Sequence, residues 1–249
     1  DDNGTGRWML KYGIDLGCSL NMLNAALDSR FISKNNNVRL KFSKSIKKDI
    51  REYDINISSL ADAYSFCRLI NYVQAFLLID SANQSYGWDI SISESLNVWS
   101  NGSIIKSDLI NTLYKDYSVD NILDDKKIFK TLNELKPRLI EVLNLSLKND
   151  VSAVRLWASS SLAEIGSISS SNAQLAAEQL LISLKIDNEP VVGSNCIWSL
   201  CRLFEKLDNI FQEKFVDECT KIALFDKEPS VMEEAKTALD SMGMKGFYK

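Results

Sequence analysis

The sequence predicts an all-α protein, and three observations carry this prediction. Only 3 of the 249 residues are Pro and 10 are Gly, which favours long helices over short strands joined by turns. Apolar residues make up 45% of the chain and charged residues 25%, so a sizeable core can form. Apolar side chains also recur at steps of three and four along most of the chain. This length suits one large domain or two of moderate size.

Two helices are predicted near the N-terminus. The first runs from Trp8 to Leu16, with Gly17 as its stop. The second runs from Leu20 to Ile32, where apolar side chains recur at helical spacing. Three consecutive Asn residues, 35–37, then break the pattern.

A basic segment follows over residues 34–51. Its positive side chains are Lys34, Arg39, Lys41, Lys44, Lys47, Lys48 and Arg51. The simplest interpretation is the solvated face of an amphipathic helix, and contact with phosphate or nucleic acid is the alternative. No aromatic platform accompanies these charges, and the net charge of the chain is -4, so a nucleic-acid partner is not expected.

The most apolar helix of the chain is predicted after Ser59, which forms a capping-box pattern with Asp62. From Phe66 to Ile79 it is apolar on nearly every side, which is typical of a buried central helix. The stretch is too short and too often interrupted by polar residues to cross a membrane. This helix is predicted to end near Gly87.

Two further helices are predicted before residue 115. The first begins at Ser91, with Glu94 three residues later, and ends at Asn101-Gly102. The second is predicted from Ser103 to Tyr114.

The cysteines and the N-terminus indicate a cytoplasmic protein. The five cysteines are Cys18, Cys67, Cys196, Cys201 and Cys219, with no C-x-x-C pair and no His in the chain, so the common zinc and haem ligand sets are absent. We expect reduced thiols in a cytoplasmic core and no metal or other cofactor held by this chain. Asp1 is not an initiator Met and no signal segment follows it, so we expect a piece of a longer soluble protein.

Several motifs in the first half occur in the order found in one enzyme family. They are Gly4-Thr5-Gly6-Arg7-Trp8, Leu27-Asp28-Ser29-Arg30, Tyr72-Val73-Gln74-Ala75-Phe76, Tyr86-Gly87-Trp88, Trp99–Ser107 and Ile122-Leu123-Asp124-Asp125. This series resembles the all-helical C-terminal domain of the 6-phosphogluconate dehydrogenase family. The resemblance covers residues 1–130 well and continues more weakly to about residue 184.

The resemblance implies a site for a phosphorylated sugar acid, which the family oxidises and decarboxylates with NADP. Thr5 and Arg30 fall on substrate-binding positions, whereas Asn3 replaces a substrate-binding Lys of the family. The dinucleotide-binding fold and the catalytic Lys and Glu lie upstream in the family, and this chain has no G-x-G-x-x-G motif. The alternatives from the residues alone are a helix cap for Thr5 and an ordinary surface or ion-pairing role for Arg30.

The resemblance also implies a homodimer. Near its C-terminus the family donates an Arg and a His to the neighbouring subunit's active site. On the weaker continuation these positions are Leu180 and Ile186, so both contacts are missing.

Residues 131–249 show a second pattern. Asp150, Asp187 and Asp226 are spaced by 37 and 39 residues, and Val154, Val192 and Val231 follow with offsets of 38 and 39. Each unit is predicted to be a helix, a loop with an Asp, and a second helix. This period resembles HEAT-type repeats, which stack into solenoids that bind protein partners. The alternative is a set of unrelated amphipathic helices of similar length.

Two main hypotheses for function follow. The first is a non-catalytic scaffold that keeps the dehydrogenase-type helical domain and binds a protein partner through the repeats. The second is the substrate-binding and dimerisation part of a divergent NADP-dependent dehydrogenase, in which Thr5 and Arg30 contact the sugar acid. On either hypothesis this chain has no catalytic residue of its own.

Overall fold

The structure is a computed structural model that describes residues 4–45, 56–116, 122–244, 246 and 248. Every regular element in these ranges is a helix, which confirms the all-α prediction. The α-helices are α1 (Thr5–Asp15), α2 (Asn21–Lys34), α3 (Asn36–Ser45), α4 (Ile57–Tyr86), α5 (Ile92–Gly102), α6 (Asp108–Asp116), α7 (Lys126–Ser146), α8 (Ser152–Gly166), α9 (Ser170–Ile186), α10 (Pro190–Leu203), α11 (Asn209–Phe225) and α12 (Pro229–Ser241). Single turns of 3-10 helix lie at Ile122–Asp124 and Phe204–Lys206.

The chain divides into two compact units. Unit 1 comprises Asp1–Ile50 and Ala61–Lys136, and unit 2 comprises Arg51–Leu60 and Pro137–Lys249. Each unit has an apolar core of its own. The division predicted after residue 130 rests on sequence likeness and stays a prediction.

The core of unit 1 is built on α4. Its buried residues are Leu69, Tyr72, Phe76, Ile92, Leu96, Ile110, Ile122 and Ile128. The Trp99 ring of α5 stacks on Phe76 with 4.8 Å between ring centroids. Other apolar side chains of α4, such as Val73 and Leu77, are only half-buried, so the helix is central but not enclosed on every side.

The capping box predicted at the start of α4 is wrong. The Asn56 side chain accepts a hydrogen bond from the backbone N–H of Ser58 at 2.9 Å, so Asn56 caps the helix. Ser59 lies inside the helix and is buried, where its hydroxyl donates to Glu141 Oε2 at 3.1 Å. Asn is as good a cap as Ser, and here it lies where the helix starts.

The two helices after α4 begin with serine caps. Ser91 Oγ accepts from the Glu94 N–H at 3.3 Å, which confirms the predicted start of α5. The predicted start of α6 at Ser103 is wrong, because Ser103 donates to the Trp99 carbonyl at 2.8 Å and ends the preceding helix. Ser107 is the cap, accepting from the Ile110 N–H at 3.3 Å, and α6 begins at Asp108.

Unit 2 is built from helix hairpins. Helices α8, α10 and α12 pack side by side, while α9 packs on α8 and α10, and α11 packs on α12. The N-caps of α8, α10 and α12 are Val151, Glu189 and Glu228, at offsets of 38 and 39 residues. The HEAT-type classification remains a prediction.

The loops before α8, α10 and α12 each contain the same type of turn. Asn149, Asp187 and Asp226 each accept a hydrogen bond on Oδ1 from the N–H two residues later, at 3.0, 3.0 and 2.9 Å. The predicted register placed Asp150 here, which is wrong by one residue, because Asn149 occupies this position. Pro190 and Pro229 are the first residues of α10 and α12, a position that suits Pro because its missing N–H would have no partner there.

Candidate phosphate-binding site

Two glycines let α1 and α2 approach closely. A Cβ added at Gly6 would lie 3.0 Å from Leu27 Cδ2, and one at Gly13 would lie 2.6 Å from Leu20 Cδ1. Gly6 therefore faces the far part of α2, and Gly13 faces its start. This order makes α1 and α2 an antiparallel hairpin whose open end holds the N-terminus of α1.

Arg30 lies at this open end. It follows Leu27 by three residues, so it shares a face of α2 with Leu27 and lies one turn further along. Continuing the pairing of Gly13 with Leu20 and Gly6 with Leu27 places that turn beyond Thr5, where α1 begins. The side chain is exposed and has no hydrogen-bond or ion-pair partner among the described residues.

The first turn of α1 follows a buried cap residue. Gly4 is the N-cap, with φ +75°, and α1 begins at Thr5, three residues before the predicted start. Thr5 is therefore not the helix cap. The backbone N–H groups of Thr5 and Gly6 have no acceptor among the described residues. These groups and the helix dipole favour a phosphate or carboxylate at this position.

The start of α2 is held against α4. Gln74 Oε1 accepts from the Met22 N–H at 3.2 Å, and Cys18 Sγ donates to Ser81 Oγ at 3.0 Å. These contacts fix the helix that carries Arg30. The motif containing Gln74 is visible in the sequence, but no sequence signal pairs it with Met22, 52 residues away.

Other motif residues of unit 1 are packing residues. Arg68 Nη2 donates to the Tyr72 hydroxyl at 2.7 Å, and the ring centroids of Tyr86 and Trp88 are 5.0 Å apart. Asp125 is buried and caps α7, accepting on Oδ1 from the N–H groups of Lys127 and Ile128 at 2.8 and 3.1 Å. None of these contacts needs a ligand.

The described part of the basic segment runs from the end of α2 into α3. Asn35 alone separates α2 from α3, and Arg39 donates to the Ser33 carbonyl at 3.0 Å, so the predicted three-residue break is wrong. Asn3, Lys47, Lys48 and Arg51 lie outside the described residues.

Leu180 and Ile186, the positions at which the family has its Arg and His by resemblance, differ in their surroundings. Leu180 is fully buried in the core of unit 2, whereas Ile186 is 69% exposed at the end of α9. Neither side chain can replace a charged substrate contact.

The described ranges contain no group of three His, Cys, Asp or Glu side chains placed to bind a metal ion. Within the same ranges, no helix is both long and apolar enough to cross a membrane.

The sequence matches a family of helical dehydrogenase domains. The family model described as 6-phosphogluconate dehydrogenase, C-terminal domain, matches residues 1–180. The chain therefore belongs to the 6-phosphogluconate dehydrogenase family, which confirms the resemblance in the motifs. The match continues past residue 130 and ends at Leu180, so it includes α8 and most of α9.

Individual relatives match the same part of the chain. The decarboxylating 6-phosphogluconate dehydrogenase of Buchnera aphidicola is 27% identical over 154 residues, covering 58% of this chain and 33% of the relative. Decarboxylating 6-phosphogluconate dehydrogenase 1 of Saccharomyces cerevisiae is 29% identical over 133 residues, covering 49% and 27%. The NADP(+)-dependent, decarboxylating enzyme of Bacillus subtilis is 24% identical over 157 residues, covering 59% and 34%.

The chain thus spans about a third of the length of these curated relatives. No solved structure matches it.

Proposed function

We propose that this chain is a non-catalytic helical scaffold, derived from the C-terminal domain of the 6-phosphogluconate dehydrogenase family, that binds a protein partner through the helix hairpins of unit 2. The observation that carries the proposal is Leu180. On the weaker continuation of the resemblance, this residue takes the position of a family Arg that enters the neighbouring subunit's active site, and it is fully buried in its own unit. A buried Leu cannot enter another subunit's site, and the chain has no His for the second contact.

The described residues do not form a dinucleotide-binding fold. A dinucleotide-binding fold needs a parallel sheet and a glycine-rich turn before a helix. The described residues contain no strand, and the sequence has no G-x-G-x-x-G motif.

A surface of unit 2 supports protein binding. Arg202 of α10 lies over the Trp198 ring, 5.1 Å from its centroid, and pairs with Glu164 of α8 at 3.1 Å. Trp157 lies two turns before Glu164 on α8 and is 71% exposed. Trp and Arg are enriched among the residues that dominate binding energy at protein interfaces. This stripe is the proposed contact surface for a protein partner.

The second candidate function is the sugar-acid-binding part of a divergent NADP-dependent dehydrogenase. It is favoured by the hairpin, where Arg30 lies on α2 one turn beyond Leu27, at the end at which α1 begins with Thr5. A guanidinium and two backbone N–H groups form a fit for a phosphate. On this candidate the cofactor and the catalytic residues come from outside these 249 residues.

Isothermal titration with 6-phosphogluconate separates the two candidates. The scaffold is expected to show no binding at millimolar ligand. Binding that disappears in Arg30→Ala but persists in Arg202→Ala would contradict the scaffold and support the sugar-acid site. Arg202 is the matched control because it is also exposed and lies in the other unit. Circular dichroism verifies that each variant keeps its helix content.

A second measurement tests catalysis directly. The longest natural form of the protein is assayed for NADPH formation with 6-phosphogluconate and other phosphorylated sugar acids. The scaffold predicts no turnover, and turnover that depends on Arg30 would overturn it.

A further inference from the structure

Unit 2 has an acidic cleft between the loop before α10 and the loop before α12. The cleft has a volume of about 460 Å³. The charged residues that line it are Asp187, Glu189, Glu218, Asp226, Glu228, Lys185 and Lys227. The carboxylates thus outnumber the ammonium groups by five to two, which favours a cation over an anion in this cleft.

One hairpin earlier, a corresponding set of groups binds a guanidinium. Arg155 Nε and Nη2 donate to Asp187 Oδ2 and Oδ1 at 2.6 and 2.9 Å. Arg155 Nη1 donates to the carbonyls of Asn149 and Asp150 at 2.8 and 3.1 Å. The guanidinium is therefore held by a carboxylate from the next loop and by two carbonyls from the loop before its own helix.

The same acceptors recur at the cleft without an arginine. Shifted by the 38 residues that separate the N-caps of α8 and α10, the two carbonyls are those of Asp187 and Asn188, and Gly193 replaces the arginine. The carboxylate from the next loop is then Asp226, which makes the same turn as Asp187. These four residues all line the cleft. A Cβ added at Gly193 would meet no atom closer than 3.7 Å, so the position of the missing side chain is open.

The acceptors of the cleft have no cation from the described residues. Asp226 accepts on Oδ1 from the Glu228 N–H at 2.9 Å, and neither of these two carboxylates forms an ion pair within the described ranges. The carbonyls of Asp187 and Asn188 accept no hydrogen bond from a described backbone N–H. The groups that would hold a guanidinium are therefore available to one from outside.

The lysines of the cleft do not replace the arginine. Lys185 Nζ pairs with Glu218 Oε2 at 3.3 Å. Lys227 is exposed and makes no hydrogen bond or ion pair with a described residue. A lysine also presents a compact ammonium group, whereas the preceding hairpin binds a planar fork of N–H donors. No Arg is among the described residues that line the cleft.

We propose that this cleft binds an arginine side chain of the protein partner, whose guanidinium takes the position that Arg155 has one hairpin earlier. Its Nε and one Nη donate to the Asp226 carboxylate, and its other Nη donates to the carbonyls of Asp187 and Asn188. Such a bidentate contact fixes the orientation of the side chain as well as its charge. The polypeptide source of the arginine rests on the proposed scaffold function, whereas the preference for a guanidinium rests only on the acceptors of the cleft.

NMR titration of the isotope-labelled 249-residue chain with N-acetyl-arginine N′-methylamide tests the proposal. The only charge of this probe is its guanidinium. The backbone N–H of Glu228 is the reporter, because it donates to Asp226 Oδ1. Its chemical shift is expected to change saturably, with a dissociation constant of about 1–10 mM for this single side chain. N-acetyl-citrulline N′-methylamide has nearly the same shape without the charge, and it is expected to cause no saturable shift.

A matched pair of variants locates the binding. Asp226→Asn keeps the Oδ1 acceptor of the turn but removes the charge, so it is expected to raise the dissociation constant ~10-fold or more. Asp208→Asn is the control, because it removes an exposed carboxylate that caps α11 and does not line the cleft. It is expected to leave binding within ~2-fold, since exposed charges at a distance are screened. Circular dichroism verifies that both variants keep their helix content.

The absence of a saturable shift up to ~50 mM probe would overturn the proposal. Equal binding of the citrulline compound, or full binding in Asp226→Asn, would also overturn it. Free arginine that binds ~10-fold more tightly than the capped probe would overturn the polypeptide source and assign the cleft to the free amino acid. Failure of the scaffold function has a separate signature, which is binding of 6-phosphogluconate through Arg30 in the other unit.

Discussion

A buried ion pair in unit 2 gives a sharp test of how its hairpins are stabilised. Arg155 of α8 binds Asp187, in the loop before α10, through Nε to Oδ2 at 2.6 Å and Nη2 to Oδ1 at 2.9 Å. The two side chains are only 14% and 4% exposed. One hairpin later, Asp226 has the same turn and cap geometry, but Gly193 occupies the position that corresponds to Arg155. Asp187→Asn and Asp226→Asn are therefore a matched pair of substitutions.

The two substitutions are expected to differ by about 3 kcal/mol. Asn keeps the Oδ1 acceptor that both turns use, so neither variant loses the cap. Asp187→Asn also places an NH₂ group against the Arg155 guanidinium and leaves that buried charge without its partner. Removing one partner of a buried pair costs about 3–5 kcal/mol, and the lower value applies because Arg155 keeps its bonds to the Asn149 and Asp150 carbonyls. Asp226→Asn is expected to cost about 0.5 kcal/mol or less.

Urea unfolding is the assay, with far-UV circular dichroism to follow helix loss. Hydrogen exchange assigns the loss of protection to α9 and α10. The reasoning is refuted if Asp187→Asn and Asp226→Asn lower the free energy of unfolding equally, because the ion pair is the difference between the two sites.

The remaining predictions concern the glycines and one buried thiol. Gly193→Ala is expected to raise the urea midpoint of unit 2 over wild type, since a Cβ there meets no atom closer than 3.7 Å and helix propensity improves by ~0.8 kcal/mol. Gly13→Ala is expected to cost ~1–3 kcal/mol by overpacking against Leu20, while Gly102→Ala, which meets nothing within 4 Å, costs less than about 1 kcal/mol; thermal melts compare them. Burial raises the pKa of the Cys196 thiol from 9.0 to about 12, so the folded chain holds this proton more tightly than the unfolded chain. The free energy of unfolding therefore falls as pH rises above about 9, and Cys196→Ala reduces that slope in urea titrations at pH 8 and 10.

The helices could be predicted from the sequence, but several of their ends could not. Apolar spacing indicates a helix because one face must be buried, and this holds for α2, α4 and α5. The first residue of a helix depends on which of several nearby polar side chains accepts hydrogen bonds from the first backbone N–H groups. Asn56 does so instead of Ser59, and Ser107 instead of Ser103. These choices are made by local geometry, which periodicity does not describe.

In unit 2, the sequence predicted the spacing of the helices but not every residue of the loops before them. The spacing of valines gave offsets of 38 and 39, and the helix caps have these offsets. Matching by residue type grouped Asp150 with Asp187 and Asp226, yet Asn149 makes the turn before α8. An Asn and an Asp supply the same Oδ1 acceptor, so matching by residue type missed the matching atom.

Most residues of the candidate site are needed by the fold itself, and this decides which of them is informative about binding. Gly6 and Gly13 permit the close approach of α1 and α2, and Gln74 holds the start of α2. A scaffold would need these contacts as much as an enzyme would, so their presence favours neither function. The Arg30 side chain is exposed and makes no hydrogen bond or ion pair with a described residue, so replacing it by Ala is expected to change the stability by less than about 0.5 kcal/mol. A loss of ligand binding in Arg30→Ala would therefore report the binding site itself and not damage to the hairpin.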